Sequence, residues 1–294
     1  MGGRFDFLEL LSLVQTAVGI AGPGNEKLRM TDEPGNKVKS PFPFCWAAAS
    51  DKGKVREENQ DVYLVEPELG LFLVSDGMGG HRGGGLASKI VAEDLPPMIE
   101  SWLDQLKTRS TTRVRSLLKK ALAEQSRQVR MEGTSENGYR DMGATVAMAL
   151  LVNERAYIAN VGDSRMYRFR GGKLRQVTKD HSVVSELLDE GRIEPEEAEE
   201  HDAQGQITRY IGMGKKALPY VRSFLLKGGD RLLLCTDGLT DSVADEAIAA
   251  ILGQDCDCRA VCEALVKGAN AAGGTDNITV VVADWLGRQQ QQPK

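Results

Sequence analysis

Short apolar runs alternate with longer amphipathic stretches along most of this 294-residue chain. The runs CWAAAS, VYLVEP and LFLVSDG, between residues 45 and 77, are brief and bounded by polar residues or glycine, which predicts three strands. Two helices are predicted next, at about residues 84–107 and 112–131, because the second stretch carries apolar side chains at helical spacing. The chain therefore begins its ordered part with strands and continues into a helix pair.

Beyond residue 143 the pattern returns to strands. The segments GATVAMALLVN, RAYIANVGDSRMYRFR and KLRQVT predict a hairpin series with turns at residues 153–154 and 171–172, and VRSFLLKGGDRLLLCTDGL predicts a further hairpin about residues 228–229. Helices are predicted over DEAIAAIL and CRAVCEALVKGANAAG, before a last strand, NITVVVADW. Because strand blocks alternate with helix pairs, the pattern favours an antiparallel α+β layered fold over a parallel doubly wound sheet.

The two ends of the chain differ from its centre. Residues 5–22 are apolar but interrupted by Asp6, Glu9 and Gln15, which favours an amphipathic helix over a signal peptide or a membrane span. Glycine and proline then make residues 23–42 a predicted linker, and the glutamine run near residue 290 a frayed tail. We thus expect a helix and linker at 1–43, one domain at 44–287 and a disordered tail at 288–294.

Composition limits the classes of partner. The net charge of −5 and the absence of a dominant basic patch argue against nucleic acid or an anionic membrane. Five cysteines, an odd number, indicate reduced thiols and a cytoplasmic protein. The bunched CDCRAVC segment could ligate zinc or iron, but its spacing fits no common ligand pattern, so thiols packed along a helix are favoured.

Four aspartates stand at the ends of well-separated apolar runs: Asp61, Asp76, Asp237 and Asp276. A single Asp-Gly after a strand is usually only a turn, because Asp bonds its own backbone and Gly accepts a positive φ. Four such carboxylates on rigid strand ends instead predict a site for a hard cation such as Mg²⁺ or Mn²⁺.

These motifs together resemble the metal-dependent serine/threonine protein phosphatases, the protein phosphatase 2C-like (PPM) family in its bacterial form. The resemblance covers about residues 46–285 and rests on GKVREENQD, SDGMGGHRGGGLAS, GATVAMALL, NVGDSRMYRFRGGKLRQVTKDHSVV, LLCTDGLTD and GGTDNITVVVA. It implies a four-layer α-β-β-α sandwich, in which two antiparallel sheets are flanked by helix pairs.

The resemblance also implies a site with two Mn²⁺ or Mg²⁺ ions that share a bridging water. Matched by motif, Asp76 would bridge both ions, Asp237 and Asp276 would complete one site, and Asp61 with the Gly77 carbonyl would help form the other. The implied reaction is hydrolysis of phosphoserine and phosphothreonine in proteins by a metal-bridging hydroxide. The lack of a Cys-x5-Arg loop agrees with a reaction that has no phosphoenzyme.

Three further residues have a functional and a structural interpretation. Arg56 matches the position that would bind substrate phosphate, although it could be a solvated surface arginine among charged neighbours. Asp163 matches a possible third metal site, but a β-turn would equally place an Asp in GDS. His181 stands where the family's mobile flap begins, about residues 181–215, and would equally serve the start of a helix beside Ser182.

The chain departs from the family's pattern around the metal motif. Met78 replaces a histidine that animal relatives often place there as a possible proton donor, so the leaving-group proton would come from water, or the alcohol would leave with metal assistance. Gly85 replaces a glutamate, and in the flap Asp202 and Gly205 replace residues that are commonly proline and asparagine. His81 is expected on the surface of a glycine-rich loop.

We expect a monomer whose partners are phosphorylated proteins and the Ser/Thr kinases it opposes. Two alternatives are kept: a phosphatase dedicated to one phosphoserine regulator of the anti-sigma antagonist type, and an inactive module that binds phosphoproteins. The presence of all four carboxylates disfavours the inactive module.

Overall fold

A computed structural model of the chain describes residues 42–134, 139, 141–198, 201–214 and 217–287. The predicted amino-terminal helix and carboxy-terminal tail lie outside these residues. Within the described ranges, no helix has both the length and the apolar character needed to cross a bilayer.

The strands, in chain order, are β1 (Phe44–Asp51), β2 (Val62–Glu66), β3 (Leu71–Ser75), β4 (Gly77–Met78), β5 (Gly143–Ala144), β6 (Val146–Val152), β7 (Arg155–Val161), β8 (Arg165–Arg170), β9 (Lys173–Gln176), β10 (Tyr220–Leu225), β11 (Asp230–Cys235) and β12 (Ile278–Trp285). Five form a first sheet in the order β1-β12-β11-β8-β9, and five form a second in the order β10-β7-β6-β3-β2. Strands β4 and β5 pair separately. Every one of these pairings is antiparallel.

The helices of the described residues are α1 (Gly80–Asp104), α2 (Thr111–Gly133), α3 (Val183–Asp189), α4 (Pro195–Ala198), α5 (Asp237–Thr240), α6 (Asp245–Leu252) and α7 (Cys258–Ala271). Side chains that accept from backbone N–H groups of the first turn begin α2 and α7. Ser110 accepts from the backbone N–H of Arg113 at the start of α2, and Asp257 accepts from that of Ala260 at the start of α7.

Three apolar clusters hold the layers together. One joins α1 and α2 to the second sheet, one lies between the sheets, and one joins the first sheet to α6 and α7. Strand β3 shows how a single run serves two clusters, because Leu71 and Leu73 face the helices while Phe72 and Val74 face the other sheet. Both faces of each sheet are thus covered, and the predicted four-layer α-β-β-α sandwich is confirmed.

The predicted hairpin about residues 228–229 is wrong, and the segment RAYIANVGDSRMYRFR, which was predicted as one member of the hairpin series, forms two strands in different sheets. Strands β7 and β8 belong to different sheets, and so do β10 and β11, so the links after β7 and β10 cross between layers. Strands buried on both faces lack the apolar-polar alternation that would have revealed which sheet each joins. Turns at 153–154 and 171–172 do close hairpins, with Asn153 at φ 56° and Gly172 at φ 75°.

Helix α1 starts at Gly80, earlier than the predicted residue 84. The backbone of His81 therefore lies in the first helical turn, and the expectation that it belongs to a loop is wrong. Glycine runs usually disfavour a helix, but packing against β4 and β5 overrides that propensity here.

Candidate metal centre

The four aspartates predicted from the strand ends meet at one edge of the sandwich. Asp61 directly precedes β2 and Asp76 directly follows β3, and the pairing of Val62 with Ser75 sets the two side by side on the second sheet. On the first sheet, Asp237 follows β11 and Asp276 precedes β12, and these two strands are also neighbours. Each sheet thus contributes two carboxylates.

Burial and mutual repulsion raise the pKa values of these carboxyl groups. Burial is the largest cause for Asp61, whose pKa rises to about 7 although a hydrogen bond from Thr236 opposes the shift. Burial, followed by the charges of neighbouring aspartates, raises the pKa of Asp76 and of Asp237 well above the usual range. The cluster is therefore costly to ionise unless a positive charge joins it.

One oxygen of Asp61 has no hydrogen-bond partner. Its Oδ2 accepts from the Thr236 hydroxyl at 2.8 Å, and that hydroxyl accepts from the backbone N–H of Thr279 at 3.0 Å. The Oδ1 atom is buried and unpaired, which is unusual for a carboxylate that is 7% exposed. An unpaired oxygen within an all-oxygen donor set fits a hard cation such as Mg²⁺ or Mn²⁺.

The oxygens of the four carboxylates do not converge tightly on one point. Among the described residues, no three of them bring their oxygens within 4.8 Å of one another. Mg²⁺ is commonly held by one or two carboxylates with water completing its shell, so this spacing suits hydrated ions better than a closed protein cage.

Arg56 lies against this cluster. Its Nη2 donates to Asp276 Oδ2 at 2.6 Å, and its side chain is 57% exposed. The hydrogen bond that Arg56 donates to Asp276, the charge of Asp276 and the charges of Asp76 and Asp237 raise the pKa of Arg56. The arginine is thus neither buried nor distant from the site, and it has room to turn toward a ligand.

Gly77 is held between two backbone segments. A Cβ at this position would lie 2.1 Å from the Gly84 oxygen and 2.9 Å from the Gln60 oxygen. The close approach of β4 to α1 therefore requires glycine here, whatever its carbonyl binds. Gly85 is different, because a Cβ there would meet only Gln60, at 3.8 Å, which is ordinary van der Waals contact.

Asn277 is a structural residue of the site that the motif analysis missed. Its amide nitrogen donates to the carbonyls of Lys52 and Glu58, both at 2.9 Å, and its Oδ1 accepts from the N–H of Gln60 at 2.8 Å. It thereby fixes the loop that carries Arg56 and Asp61. The Asn in TDN was the only sequence signal for this role, and an Asn beside a turn is too common to be diagnostic.

Asp163 lies on the link between β7 and β8. Burial, and next the charge of Asp180, raise its pKa to about 6. The link is held by His181, whose Nδ1 accepts from the Gly162 backbone N–H at 3.2 Å. Burial and two cationic neighbours lower the pKa of His181 to about 4, so it is neutral at pH 7.

The segment predicted as the flap begins at the cap of α3, where Ser182 accepts from the Ser185 N–H. Thr208 donates to Glu186, and a small cluster of Val184, Ala198 and Ala203 packs beneath the segment. Asp202 and Gly205, the two positions of this segment that depart from the family pattern, are exposed, and Gly205 has φ 72° with open space around it.

Met78, the departure beside the metal motif, pairs with Gly143 in the short sheet formed by β4 and β5.

Comparison with known proteins agrees with this architecture. Residues 52–284 match the family model described as Protein phosphatase 2C. The chain is 37% identical to protein phosphatase PhpP of Streptococcus pneumoniae over 237 residues, which span 79% of this chain and 94% of that protein.

Solved structures are also similar. The S. agalactiae serine/threonine phosphatase has a TM-score of 0.75 and 32% identity, over 82% of this chain and 99% of that one. The catalytic domain of the phosphatase PstP, solved in complex with 2 manganese ions, has a TM-score of 0.66 and 35% identity, over 82% of this chain and 97% of that one. The chain is a metal-dependent serine/threonine protein phosphatase and belongs to the protein phosphatase 2C family.

Proposed function

We propose that this phosphatase holds two divalent cations, Mn²⁺ or Mg²⁺, between its two sheets. Their ligands would be Asp61, Asp76, Asp237 and Asp276, together with the Gly77 carbonyl. The observation that carries the proposal is the buried, unpaired Oδ1 of Asp61 within a group of carboxyl groups whose pKa values are raised. The 2 manganese ions in the structure of the PstP catalytic domain support a site for two cations.

Arg56 would bind the substrate phosphate. Its guanidinium can form two hydrogen bonds with phosphate oxygens, and its exposure allows it to leave Asp276 when phosphate arrives. When bound, the cations would lower the pKa of a water molecule and neutralise negative charge on the phosphoryl group. The proton needed by the leaving alcohol would come from water, since Met78 offers none.

Asp163 would contribute to a third, weaker cation site near Asp237. Asp163 is among the charges that raise the pKa of Asp237, so the two carboxyl groups are electrostatic neighbours. The hydrogen bonds that His181 and the backbone make with the Asp163 link would keep this carboxylate in place when no ion is present.

The substrates would be proteins phosphorylated by Ser/Thr kinases, which this phosphatase would oppose as a monomer. The catalytic domain would comprise residues 44–287, with the flap at about 181–215 beside the site. The flap's exposed positions 202 and 205 would influence substrate choice without changing the chemistry.

Metal titration of the metal-free protein tests the proposal. Mn²⁺, Mg²⁺ and Ca²⁺ are added separately, calorimetry counts the bound ions, and hydrolysis of an unrelated phosphothreonine peptide is followed. We expect two tight Mn²⁺ sites and hydrolysis that follows their filling, with a weaker third site lost in Asp163→Ala. A single tight Mn²⁺ site would contradict the two-ion centre.

The same assay separates the alternatives. Hydrolysis confined to one phosphoserine protein would identify a dedicated phosphatase. Binding of phosphopeptide without hydrolysis at any Mn²⁺ concentration would identify an inactive module.

A further inference from the structure

Two cysteines far apart in sequence lie in contact at the end of the first sheet that is remote from the carboxylates. Cys45 is exposed on the edge strand β1, and Cys258 is buried as the first residue of α7. Their Sγ atoms are 3.8 Å apart although the residues are 213 positions apart in the chain. A disulfide would require the two sulfurs to approach from this distance to about 2.05 Å.

The contact follows from how the helix lies on the strand. Cys45 and Ala47 share the face of β1 that is turned toward α7, because they are two residues apart. One helical turn separates Cys258 from Cys262, whose Sγ donates to the Ala47 carbonyl at 3.4 Å. Cys258 Sγ similarly lies 3.6 Å from the Cys45 carbonyl. The match between strand and helix spacing fixes the two thiols opposite each other.

The charges around the pair favour a reactive Cys45. A hydrogen bond from Cys258 and the nearby Arg231 lower the pKa of Cys45 to about 7, although burial and Asp284 oppose the shift. A large fraction of Cys45 is then thiolate at neutral pH, and the thiolate is the form that reacts with oxidants.

A metal ion is a poorer occupant of this place. Cys45, Cys258 and Asp284 do bring their ligand atoms within 4.8 Å of one another. Both oxygens of Asp284, however, accept from Arg231, at 2.6 and 2.8 Å. The guanidinium satisfies the carboxylate and would repel a cation.

We propose that Cys45 and Cys258 form a reversible disulfide when a peroxide oxidises the protein. The Cys45 thiolate attacks one oxygen of hydrogen peroxide, which breaks the O–O bond, gives a sulfenic acid and, after protonation, releases one water. The Cys258 thiol then attacks the sulfenic sulfur, forms the S–S bond and releases a second water. The peroxide is thereby reduced by two electrons, and a dithiol reductant restores both thiols.

The disulfide would stabilise the domain without changing its chemistry. It would join the first strand to the last long helix and so close a loop that contains nearly the whole sandwich, which restricts the unfolded chain strongly. In the register of β1 with β12, Cys45 pairs with Asp284 while Asp51, near the carboxylates, pairs with Ile278. At about 3.4 Å per residue the two ends are roughly 20 Å apart.

Peroxide treatment of the full-length, Mn²⁺-loaded protein at neutral pH tests the proposal. After free thiols are blocked, peptide mass spectrometry is expected to identify a Cys45–Cys258 cross-link that dithiothreitol reverses. The Tm should rise by about 5 °C or more, and phosphatase activity should stay within about twofold of the reduced protein. The rate of Cys45 alkylation should have its midpoint near pH 7, which follows from its lowered pKa.

Three variants serve as controls. Cys45→Ser should abolish both the cross-link and the Tm rise, and Cys258→Ser should leave a sulfenic acid on Cys45 that dimedone traps. Cys256→Ser, at the half-buried thiol two positions from Cys258, should behave like the unsubstituted protein. Absence of a cross-link, or one that uses Cys256 or Cys262, would overturn the proposal. Binding of stoichiometric zinc that depends on Cys45 would also overturn it. A cross-linked protein without phosphatase activity would refute the claim that the disulfide stabilises the domain without affecting its chemistry.

Discussion

Two regions of this molecule differ in the partners that they give to a buried aspartate. Asp230, at the start of β11, is fully buried, yet both its oxygens bond: Arg170 donates to each of them, and the Lys227 N–H donates at 2.9 Å. At the carboxylate end, Asp61 is also buried, but one of its oxygens has no partner and its closest charges are negative.

This difference in partners distinguishes a carboxylate that stabilises the fold from carboxylates that serve the function. A buried carboxylate that serves stability is given its cation by the chain, as Asp230 receives Arg170. Among the described residues, Arg56 is the cation that forms an ion pair with one of the four carboxylates, and it is exposed, so the fold itself leaves much of their negative charge unbalanced. Such an arrangement destabilises the metal-free protein and favours an external cation.

Replacing one aspartate by asparagine in each region should have opposite effects on activity and on stability. Asp237→Asn is expected to lower kcat/KM by about 1000-fold, because it removes a ligand charge, while the metal-free Tm rises by about 2 °C as repulsion is relieved. Asp230→Asn, the matched control, should keep the activity but lose about 3 kcal/mol of unfolding free energy, because Arg170 loses its partner. Urea denaturation measures the stability of both variants, and phosphopeptide hydrolysis measures their activity. Near-normal activity of Asp237→Asn at all Mn²⁺ concentrations would contradict the site.

The stability of the metal-free protein should fall as pH rises from about 4 to 7. The pKa of Asp61 is raised to about 7 in the folded state from about 3.9 when unfolded, so the folded state binds more protons in this window. Stability from such a raised pKa is present at low pH and lost as the carboxyl ionises. Urea midpoints at pH 5 and 8, with and without saturating Mn²⁺, measure the effect. Asp61→Asn should make the metal-free dependence shallower, with the remaining slope due to Asp76 and Asp237, whose pKa values are also raised. An unchanged slope would contradict the assignment.

Arg56→Ala should raise KM for a phosphopeptide about tenfold and change kcat by less than about threefold. The reason is that the guanidinium would bind the phosphate similarly in the ground and transition states. Arg56→Lys, which keeps the charge without the two-pronged geometry, should lie between. Steady-state kinetics at saturating Mn²⁺ measure both variants. A loss confined to kcat would indicate a different role for Arg56.

Thr236→Val should produce the smallest change. It removes the hydroxyl that donates to Asp61 Oδ2, so the carboxylate is less firmly oriented and Mn²⁺ affinity should fall about tenfold. At saturating Mn²⁺ the kcat should be retained. Calorimetric titration measures the affinity, and an unchanged dissociation constant would show that Thr236 serves only the β11–β12 ladder.

Local sequence patterns predicted most elements well. The helices near 112–131 and 258–271 and the strands around each aspartate lie where periodicity and apolar runs indicated. The links from β7 to β8 and from β10 to β11 cross between the sheets, and neither crossing was predicted, because apolar runs do not reveal which sheet of a covered sandwich a strand joins.

Residue types predicted the candidate metal ligands better than they predicted the residues that hold those ligands in place by hydrogen bonds. The carboxylates were identifiable because Asp at several strand ends is unusual as a set. The contacts of Asn277, Thr236 and His181 were not, because a common polar residue gains such a role only from its neighbours across the fold.

The sequence by itself determined the α+β class, the positions of the four aspartates and the resemblance to bacterial metal-dependent phosphatases, because these depend on local periodicity and motif order. Only the tertiary structure decided which charges are balanced. It paired Asp230 with Arg170, left Asp61 Oδ1 unpaired and brought Cys45 against Cys258 across 213 positions. Burial and long-range pairing set the energy of a charge or a thiol, and neither can be read from residues that are neighbours only in sequence.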